Sequence, residues 1–485
     1  MKRVGLVLGI TLPLMILIFS NFGEGVQTSR MAAIAIMMSI FWITEAIPLA
    51  ATALIPLTLF PVLGIASSKA TASQYMNSTV FLLIGGFMIA LSMQRWQLHK
   101  RIALNILALF GGHPVLLVLG FMLATAGLSM WISNTATTLM MLPIALAIIS
   151  RYEKFLSEKQ IHRFTLGLLL SIAYSASIGG MMTLVGTAPN LVFARFYQLI
   201  NGESVGFAQW MMIAVPVGLS MLLALLIIVS MLFLRKLPES SDLKQLVEDE
   251  KNQLGKMRSA EKTVLMVFII TATLWITRKG IKLGDLMIQG WSDYLSFGKM
   301  IDDGTVAVAM ATLLFFIPAK KSTGENSTIL DKQVFSELPW SIILLFGGGF
   351  ALAFGFSESG LSAYLAEQLQ GLKSVSLPIL IFVVSSGMNL LTELTSNTAT
   401  TQLVMPILLS TAKVMDISPI WLMLPAVLSA SCAFMFPVAT PPNAIIFGSG
   451  KINVVEMVKV GFILNIVGIV IISCISYLLI PLLYR

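Results

Sequence analysis

Charge is what this chain has least of. Asp, Glu, Lys and Arg make up 11% of its 485 residues, where a soluble domain averages about 25%. Hydrophobic residues make up 57%, and mean hydropathy is +0.89. Apolar runs nearly free of charge recur from end to end, so an all-α, multi-pass membrane protein is expected. Cysteine is scarce as well. Cys432 and Cys474 both lie in apolar stretches, which argues against a disulfide framework or a metal site and leaves packing roles. The three histidines, His99, His113 and His162, fall near predicted helix ends or in loops. No Ser-His-Asp set, metal-binding cluster or phosphate loop is visible, so neither an enzyme nor an organic cofactor is expected. The net charge of +8 has a simpler source than nucleic acid, namely cytoplasmic loops that keep Lys and Arg on one side. Lys2 and Arg3 precede an apolar run at 4–20, as in a signal peptide. No small-residue cleavage site precedes Asn21, and the run is expected to be the first span.

What is present is a repeated polar hexapeptide. "SNTATTLMMLPIAL" begins at Ser133 and "SNTATTQLVMPILL" at Ser396. Nine of the fourteen positions are identical, and the offset, 396 minus 133, is 263. "LLIGGF" at Leu82 resembles "LLFGGGF" at Leu344, and "GTAPN" at Gly186 resembles "ATPPN" at Ala439. Three matched blocks in one order imply two structural repeats, 79–234 and 338–485. The runs 114–149 and 376–412 are too long for one span of about 20 residues, and each has its hexapeptide near the middle. Each suits a re-entrant hairpin, whose non-helical tip is tolerated at depth only when buried in protein or lining a cavity. About 11 transmembrane helices plus two hairpins are expected, with scaffold spans in 1–78 and 263–337. The linker at 235–262 reads as a solvated cytoplasmic connector with room for a short amphipathic helix. The stretches 96–111 and 357–371 suit interfacial helices that hinge a fixed part to a moving one.

With the N-terminus inside, the predicted cytoplasmic segments hold 21 of the 31 Lys and Arg, the sense that the positive-inside rule requires. The first hairpin then enters from the cytoplasm and the second from outside. Inverted repeats with broken helices are a signature of secondary transporters. A bacterial inner membrane is the expected location.

The polar positions point to ions. Pro189 and the pair Pro441-Pro442 break their helices. Freed carbonyls and nearby Ser, Thr and Asn oxygens are hard ligands suited to an alkali cation, and new helix N-termini suit an anion. Neither hexapeptide nor either turn contains Lys, Arg or His. A di-anion buried without a fixed cation is prohibitively costly, so bound sodium would supply the positive charge. Polar residues in membrane helices often only join helices, but two copies each paired with a proline break exceed that role. Glu393 either tunes the cation site or carries a proton, or it caps and orients the hairpin, and the structural role is favoured. Glu45 is expected to fix a scaffold turn, and the "LLFGGGF" glycines to allow close packing.

These blocks, with "SCAFMFPVATPPNAIIFG", "WITEAIPLAATALIPL" and "LHKRIAL", resemble the divalent anion:sodium symporter family over nearly the whole chain. That family comprises sodium-coupled dicarboxylate, citrate and sulfate carriers. The resemblance implies a homodimer in lipid, with a scaffold and an elevator-like transport part, and hairpin tips formed by the SNT motifs. It implies a first sodium site at Ser129, Ser133, Asn134 and Gly186, and a second at Thr392, Thr395, Ser396, Asn397 and Ala439. Substrate carboxylates would meet Asn134, Thr135, Thr187, Asn397, Thr398, Thr440 and Pro441. The expected function is sodium-coupled symport of di- or tricarboxylates. Alternatives are an electroneutral dicarboxylate exchanger and a sodium:sulfate symporter. An anion channel would need a lining of basic or carbonyl rings and is disfavoured.

Overall fold

The computed structural model describes residues 2–19, 25–110, 113–153, 156–235, 237–238, 241–283, 286–320, 326–369, 371 and 374–484. The chain begins with α1 (Lys2–Phe19) and α2 (Val26–Thr44), an antiparallel pair. Gly5 faces Thr44 and Gly9 faces the Phe41 ring, and a Cβ on either would collide. Glu45 ends α2 in the left-handed region (φ 47°), and the chain turns into α3 (Leu49–Ala53), α4 (Ile55–Val62) and α5 (Ser68–Ala72). Next comes α6 (Ser78–Arg95), capped by the Asn77 side chain, which accepts from the Thr79 and Val80 amides. Left-handed Gln97 (φ 59°) then turns the chain into α7 (Leu98–Leu107).

The first hairpin run folds as α8 (Pro114–Ser129) and α9 (Asn134–Tyr152). The stretch before and after the "GTAPN" turn is two helices, α10 (Glu158–Met181) and α11 (Ala188–Asn201), parted just before Pro189. It is followed by α12 (Phe207–Val229), which a π-turn extends through Leu234. Beyond it lie α13 (Ser241–Gln253), α14 (Ser259–Thr277), α15 (Asp303–Phe316) and α16 (Val334–Glu337). Helix α17 (Trp340–Glu358) turns at left-handed Gly360 into α18 (Leu361–Gln368), as α6 does at Gln97, 263 residues earlier. The second hairpin run folds as α19 (Leu377–Thr392) and α20 (Asn397–Val414). The chain closes with α21 (Ile420–Ala430), α22 (Pro441–Gly448) and α23 (Val454–Leu483).

Among the described residues, nine helices are long and apolar enough to cross a membrane, namely α1, α2, α6, α9, α10, α12, α14, α17 and α23. Two small antiparallel ribbons interrupt the helices, β1 (Ile281–Leu283) with β2 (Leu286–Ile288), and β3 (Pro318–Lys320) with β4 (Asn326–Thr328). Strands of three residues leave no mark in a search for long apolar runs. The linker also differs from a solvated connector. Val247 on α13 is buried, Glu250 pairs with Lys100 at 3.6 Å, and the helix lies on α7 and α9.

Packing around the two hairpins is reciprocal. Helices α8 and α9 lie on α10, and α19 and α20 lie on α21. Helix α9 also packs on α22, while α20 packs on α11. The glycine spans cross over in the same way. Gly85 on α6 abuts Ala307 on α15, and Gly348 on α17 abuts Ala53 on α3, at distances that leave no room for a Cβ. Buried apolar side chains form one large cluster and a smaller one on α2–α5, α17 and α18, which Ala399 and Leu403 of α20 enter.

Candidate substrate and cation site

Both hexapeptides open a helix at their serine. Ser133 is the N-cap of α9, and its Oγ accepts from the Ala136 amide at 3.3 Å. Ser396 caps α20 in the same way, with Ala399 at 3.5 Å. Serine is favoured there because its oxygen satisfies one of the first-turn amides. Asn134-Thr135 and Asn397-Thr398 thus become the first residues of their helices, beside N–H groups that suit an anion. The proline turns do the same for the partner helices. Thr187 and Thr440 are the N-caps of α11 and α22, with proline in the first turn. Thr440 Oγ1 accepts from the Asn443 amide at 3.3 Å.

The first cation set is brought together around Gly180. Ser129 Oγ donates to Asn134 Oδ1 at 2.6 Å and lies 2.7 Å from the Ala176 carbonyl oxygen. A Cβ on Gly180 would lie 2.4 Å from Asn134 Oδ1, and one on Gly186 would lie 2.4 Å from the Gly180 carbonyl oxygen. The Thr183 hydroxyl donates to the Met130 carbonyl and accepts from the Gly186 amide at 3.1 Å. Ser129, Asn134 and Gly186 therefore converge, with capping Ser133 and half-buried Thr135 on the same tip. This set offers neutral hydroxyl, amide and peptide oxygens, which suit an alkali cation.

The second set is tied to its turn by a different device. Buried Thr392 donates to the Asn389 carbonyl at 3.2 Å, and Thr395 to the Leu391 carbonyl at 2.6 Å. Asn397 Oδ1 is buried with no protein partner. Buried Glu393 fixes the tip against the turn. Its carboxylate accepts from the amides of Phe434 (2.7 Å), Met435 (3.0 and 3.1 Å) and Phe436 (3.2 Å), and from Asn465 Nδ2 (2.7 Å). Ala439 is buried on that turn, and its amide donates to the Phe436 carbonyl at 3.1 Å. Ala439 is thus joined to Phe436, which Glu393 binds, and Glu393 lies four residues before Asn397 on the same tip. Thr398 is half-buried beside Asn397, Thr440 is buried and Pro441 is exposed.

Two residues that build the turns escaped the sequence reading, although both were quoted within the matched turns. Asn190 Nδ2 donates to the carbonyls of Gly180 (3.1 Å), Met181 (3.3 Å) and Thr183 (2.6 Å). Asn443 Nδ2 donates to those of Ala433 (3.1 Å) and Phe436 (3.0 Å). Asn443, Ala433 and Phe436 lie 253 residues after Asn190, Gly180 and Thr183, the same offset as the turns. Each asparagine staples carbonyls that the helix break would leave unpaired. The final Asn of each "xPN" was the available signal. The tip residue Trp131 is also anchored. Its ring stacks on Phe207 (5.9 Å) and Trp275 (6.4 Å) and meets Phe268 edge-on (5.1 Å). His99, His113 and His162 stand apart from both tips, bonded to the Met93 carbonyl, the Val115 amide and Glu456 respectively.

Residues 2–484 match the family model described as "Sodium:sulfate symporter transmembrane region". The chain is 40% identical to the sodium-dependent dicarboxylate transporter SdcS of Staphylococcus saprophyticus over 489 residues, covering 99% of this chain and 92% of that one. It is equally 40% identical to the protein of the same name from Staphylococcus aureus over 494 residues, covering 99% and 91%. Among solved structures it resembles the Neisseria gonorrhoeae antimetabolite efflux pump MtrF, with a TM-score of 0.57 at 12% identity over 96% of both chains. It also resembles the Alcanivorax borkumensis transporter YdaH, with a TM-score of 0.55 at 12% identity over 94% of this chain and 98% of that one. At that identity the two structures speak to the fold alone, an all-helical membrane-transporter architecture. The match across both hairpins, both proline turns and nearly the full length places this chain in the divalent anion:sodium symporter family.

Proposed function

We propose that this protein is a secondary active transporter that couples inward sodium to the uptake of di- or tricarboxylates of the succinate class. The observation that carries the reading is the twinned site itself. Four helix N-termini, each opening at a Ser or Thr cap, are set beside uncharged oxygen ligands, with no Lys, Arg or His in either hexapeptide or turn. Bound sodium supplies the missing positive charge, so cation and di-anion bind together. The name borne by the relatives at 40% identity supports the same substrate class.

In this reading the repeats are inverted, the N-terminus is cytoplasmic, and α1–α6, α14, α15 and α17 form a fixed part. Helices α8–α12 and α19–α23 move as the transport part, hinged by α7 and α18. The reciprocal packing of α9 on α22 and α20 on α11 supports the inverted arrangement. Ser129, Ser133, Asn134 and Gly186 hold one sodium. Thr392, Thr395, Ser396, Asn397 and Ala439 hold another. Asn134, Thr135, Thr187, Asn397, Thr398, Thr440 and Pro441 meet the substrate. Two such protomers pair in a bacterial inner membrane. Sulfate is the second substrate reading, favoured by the description of the matching family. The test is uptake of radiolabelled succinate into proteoliposomes under imposed sodium, potassium or proton gradients, with citrate and sulfate as competitors. Saturable, sodium-dependent uptake is expected. Equal uptake in potassium or choline buffer would sink the sodium coupling, and competition by sulfate alone would move the substrate reading.

A further inference from the structure

Two polar side chains leave the hairpin region and land on α17 or the segment packed beside it. Gln402 on α20 is fully buried. Its Nε2 donates to the Leu345 carbonyl at 3.0 Å, and its side chain fills the trough at Gly349, where a Cβ would lie 2.1 Å from Gln402 Cδ. Arg195 on α11 reaches Gln74 Oε1 at 3.2 Å and Gln198 Oε1 at 3.0 Å, and its guanidinium lies 5.9 Å from the Phe350 ring centroid. All of these partners are neutral. Each side chain also keeps one buried polar atom without a hydrogen bond, Arg195 Nε and Gln402 Oε1.

The ion pairs are distributed differently. Arg95 pairs with Asp331 and Glu337, Arg101 with Glu261, and Arg278 with Asp303, all among α6, α7, α14–α16 and the segment before α16. His162 on α10 pairs with Glu456 on α23. Among the described pairs only Lys279–Glu203, half-buried at the lysine and exposed at the glutamate, joins the two groups of helices. Charge pairs thus hold α6, α7 and α14–α16 together, while among the described residues α11 and α20 meet α17 and Gln74 over a glycine trough with uncharged partners only. Parting a buried ion pair leaves two charges to be resolvated, whereas the Arg195 guanidinium keeps its charge while exchanging uncharged partners, and Gln402 carries no charge at all. The counterpart of Gln402 in the first hairpin, 263 residues earlier, is Leu139, which is 55% exposed. The polar seat is therefore made on one side only.

We infer that Arg195 and Gln402 are positioning residues at a sliding interface. They seat the helices that follow Thr187 and carry Asn397 onto α17 at one end of the transport cycle, and they release them at the other. The inference rests on the moving-part reading above. In a cysteine-free protein that transports, Gly349→Cys with Gln402→Cys replaces the buried Gln by a pair able to form a disulfide. A protease site at Gly371, between the two, reports the cross-link as fragments that stay joined. Oxidation is expected to arrest sodium-driven uptake, and reduction to restore it. Cross-linked protein that transports at the uncrosslinked rate would show a static contact and overturn the proposal. Gln402→Leu and Arg195→Met provide a second measurement that needs no cross-link. Gln402→Leu removes a neutral hydrogen bond, Arg195→Met removes hydrogen bonds donated by a charged guanidinium, and each keeps an apolar stem. Each is expected to shift the apparent KM for succinate about two- to tenfold without lowering thermal stability. Unchanged KM with a lower melting temperature would assign both residues to packing. The unsubstituted control separates the two readings: no sodium-driven succinate uptake there tells against the function, and normal uptake that survives cross-linking tells against the seat.

Discussion

Gly180→Ala is a one-methyl change that reaches the proposed first cation site. The added methyl carbon would lie 2.4 Å from Asn134 Oδ1 and 2.9 Å from its Nδ2. Ordinary carbon contacts begin near 3.5 Å, so the Asn134 side chain must retreat by about 1 Å. That oxygen also accepts from Ser129, so the displacement pulls on two candidate ligands at once. A misplacement of about 1 Å at a site of tight geometry costs on the order of a hundredfold. Gly180 lies within α10, where alanine favours the helix by about 0.5–1 kcal/mol, so the fold is expected to survive. Gly127 on α8 is the control, because a Cβ there meets nothing within 4 Å. Sodium-dependence curves for succinate uptake in proteoliposomes, with melting curves in detergent, read both effects. Gly180→Ala is expected to raise the half-saturating sodium concentration steeply at near-normal stability, and Gly127→Ala to leave it unchanged. Wild-type sodium dependence in Gly180→Ala would remove Asn134 from the cation site.

Asn397→Ala deletes an acceptor that is buried without a protein partner. It is expected to leave the melting temperature equal or higher while abolishing sodium-driven uptake; a clear loss of stability would point to packing instead. Asn134→Asp and Asn397→Asp keep the shape but place a negative charge beside a di-anion. At roughly 4 Å and an effective dielectric of about 20 the repulsion is about 4 kcal/mol per charge, close to a thousandfold in substrate affinity, and normal succinate binding by both variants would refute the central site. Glu393→Gln turns an NH₂ toward the donors of Phe434–Phe436 and should lower stability by about 1–3 kcal/mol, measured by thermal melting, where an unchanged melt would remove the clamp. Cysteine at exposed Glu248 should be labelled by an impermeant maleimide only from the cytoplasmic side, and at exposed Met300 only from outside. Reversed labelling would overturn the inverted-repeat assignment.

The helix breaks were legible because their chemistry is local. A serine cap, a proline in the first turn and a polar hexapeptide inside an apolar run each act on the backbone within four residues. Thus the openings of α9, α11, α20 and α22 fall at the motifs. The carbonyl staples of Asn190 and Asn443 span seven to ten residues across a break, and their partners are backbone groups without side-chain identity. No residue type in the sequence marks a carbonyl that has lost its helix. Gly180 was equally hidden. Its role depends on α9 lying against α10, a contact that pattern reading does not supply.

Sequence matching also hid a difference between the two halves. The hexapeptides align at an offset of 263, which sets Met130 opposite Glu393. In the first half the tip is joined to its turn by one neutral hydrogen bond, from Thr183 to the Met130 carbonyl. In the second, position 436 is Phe and offers no hydroxyl, and the Glu393 carboxylate gathers three successive amides and Asn465 instead. One hydrogen bond in the first half stands against four donors converging on a single side chain in the second. The second tip is therefore held to its turn by a stiffer clamp, and the first is steadied by the Trp131 stack on α14. The same candidate ligand types stand on two differently built supports. Ligand identity can be duplicated by copying a motif, but the stiffness behind it is set by residues outside the motif, and there the two halves have diverged.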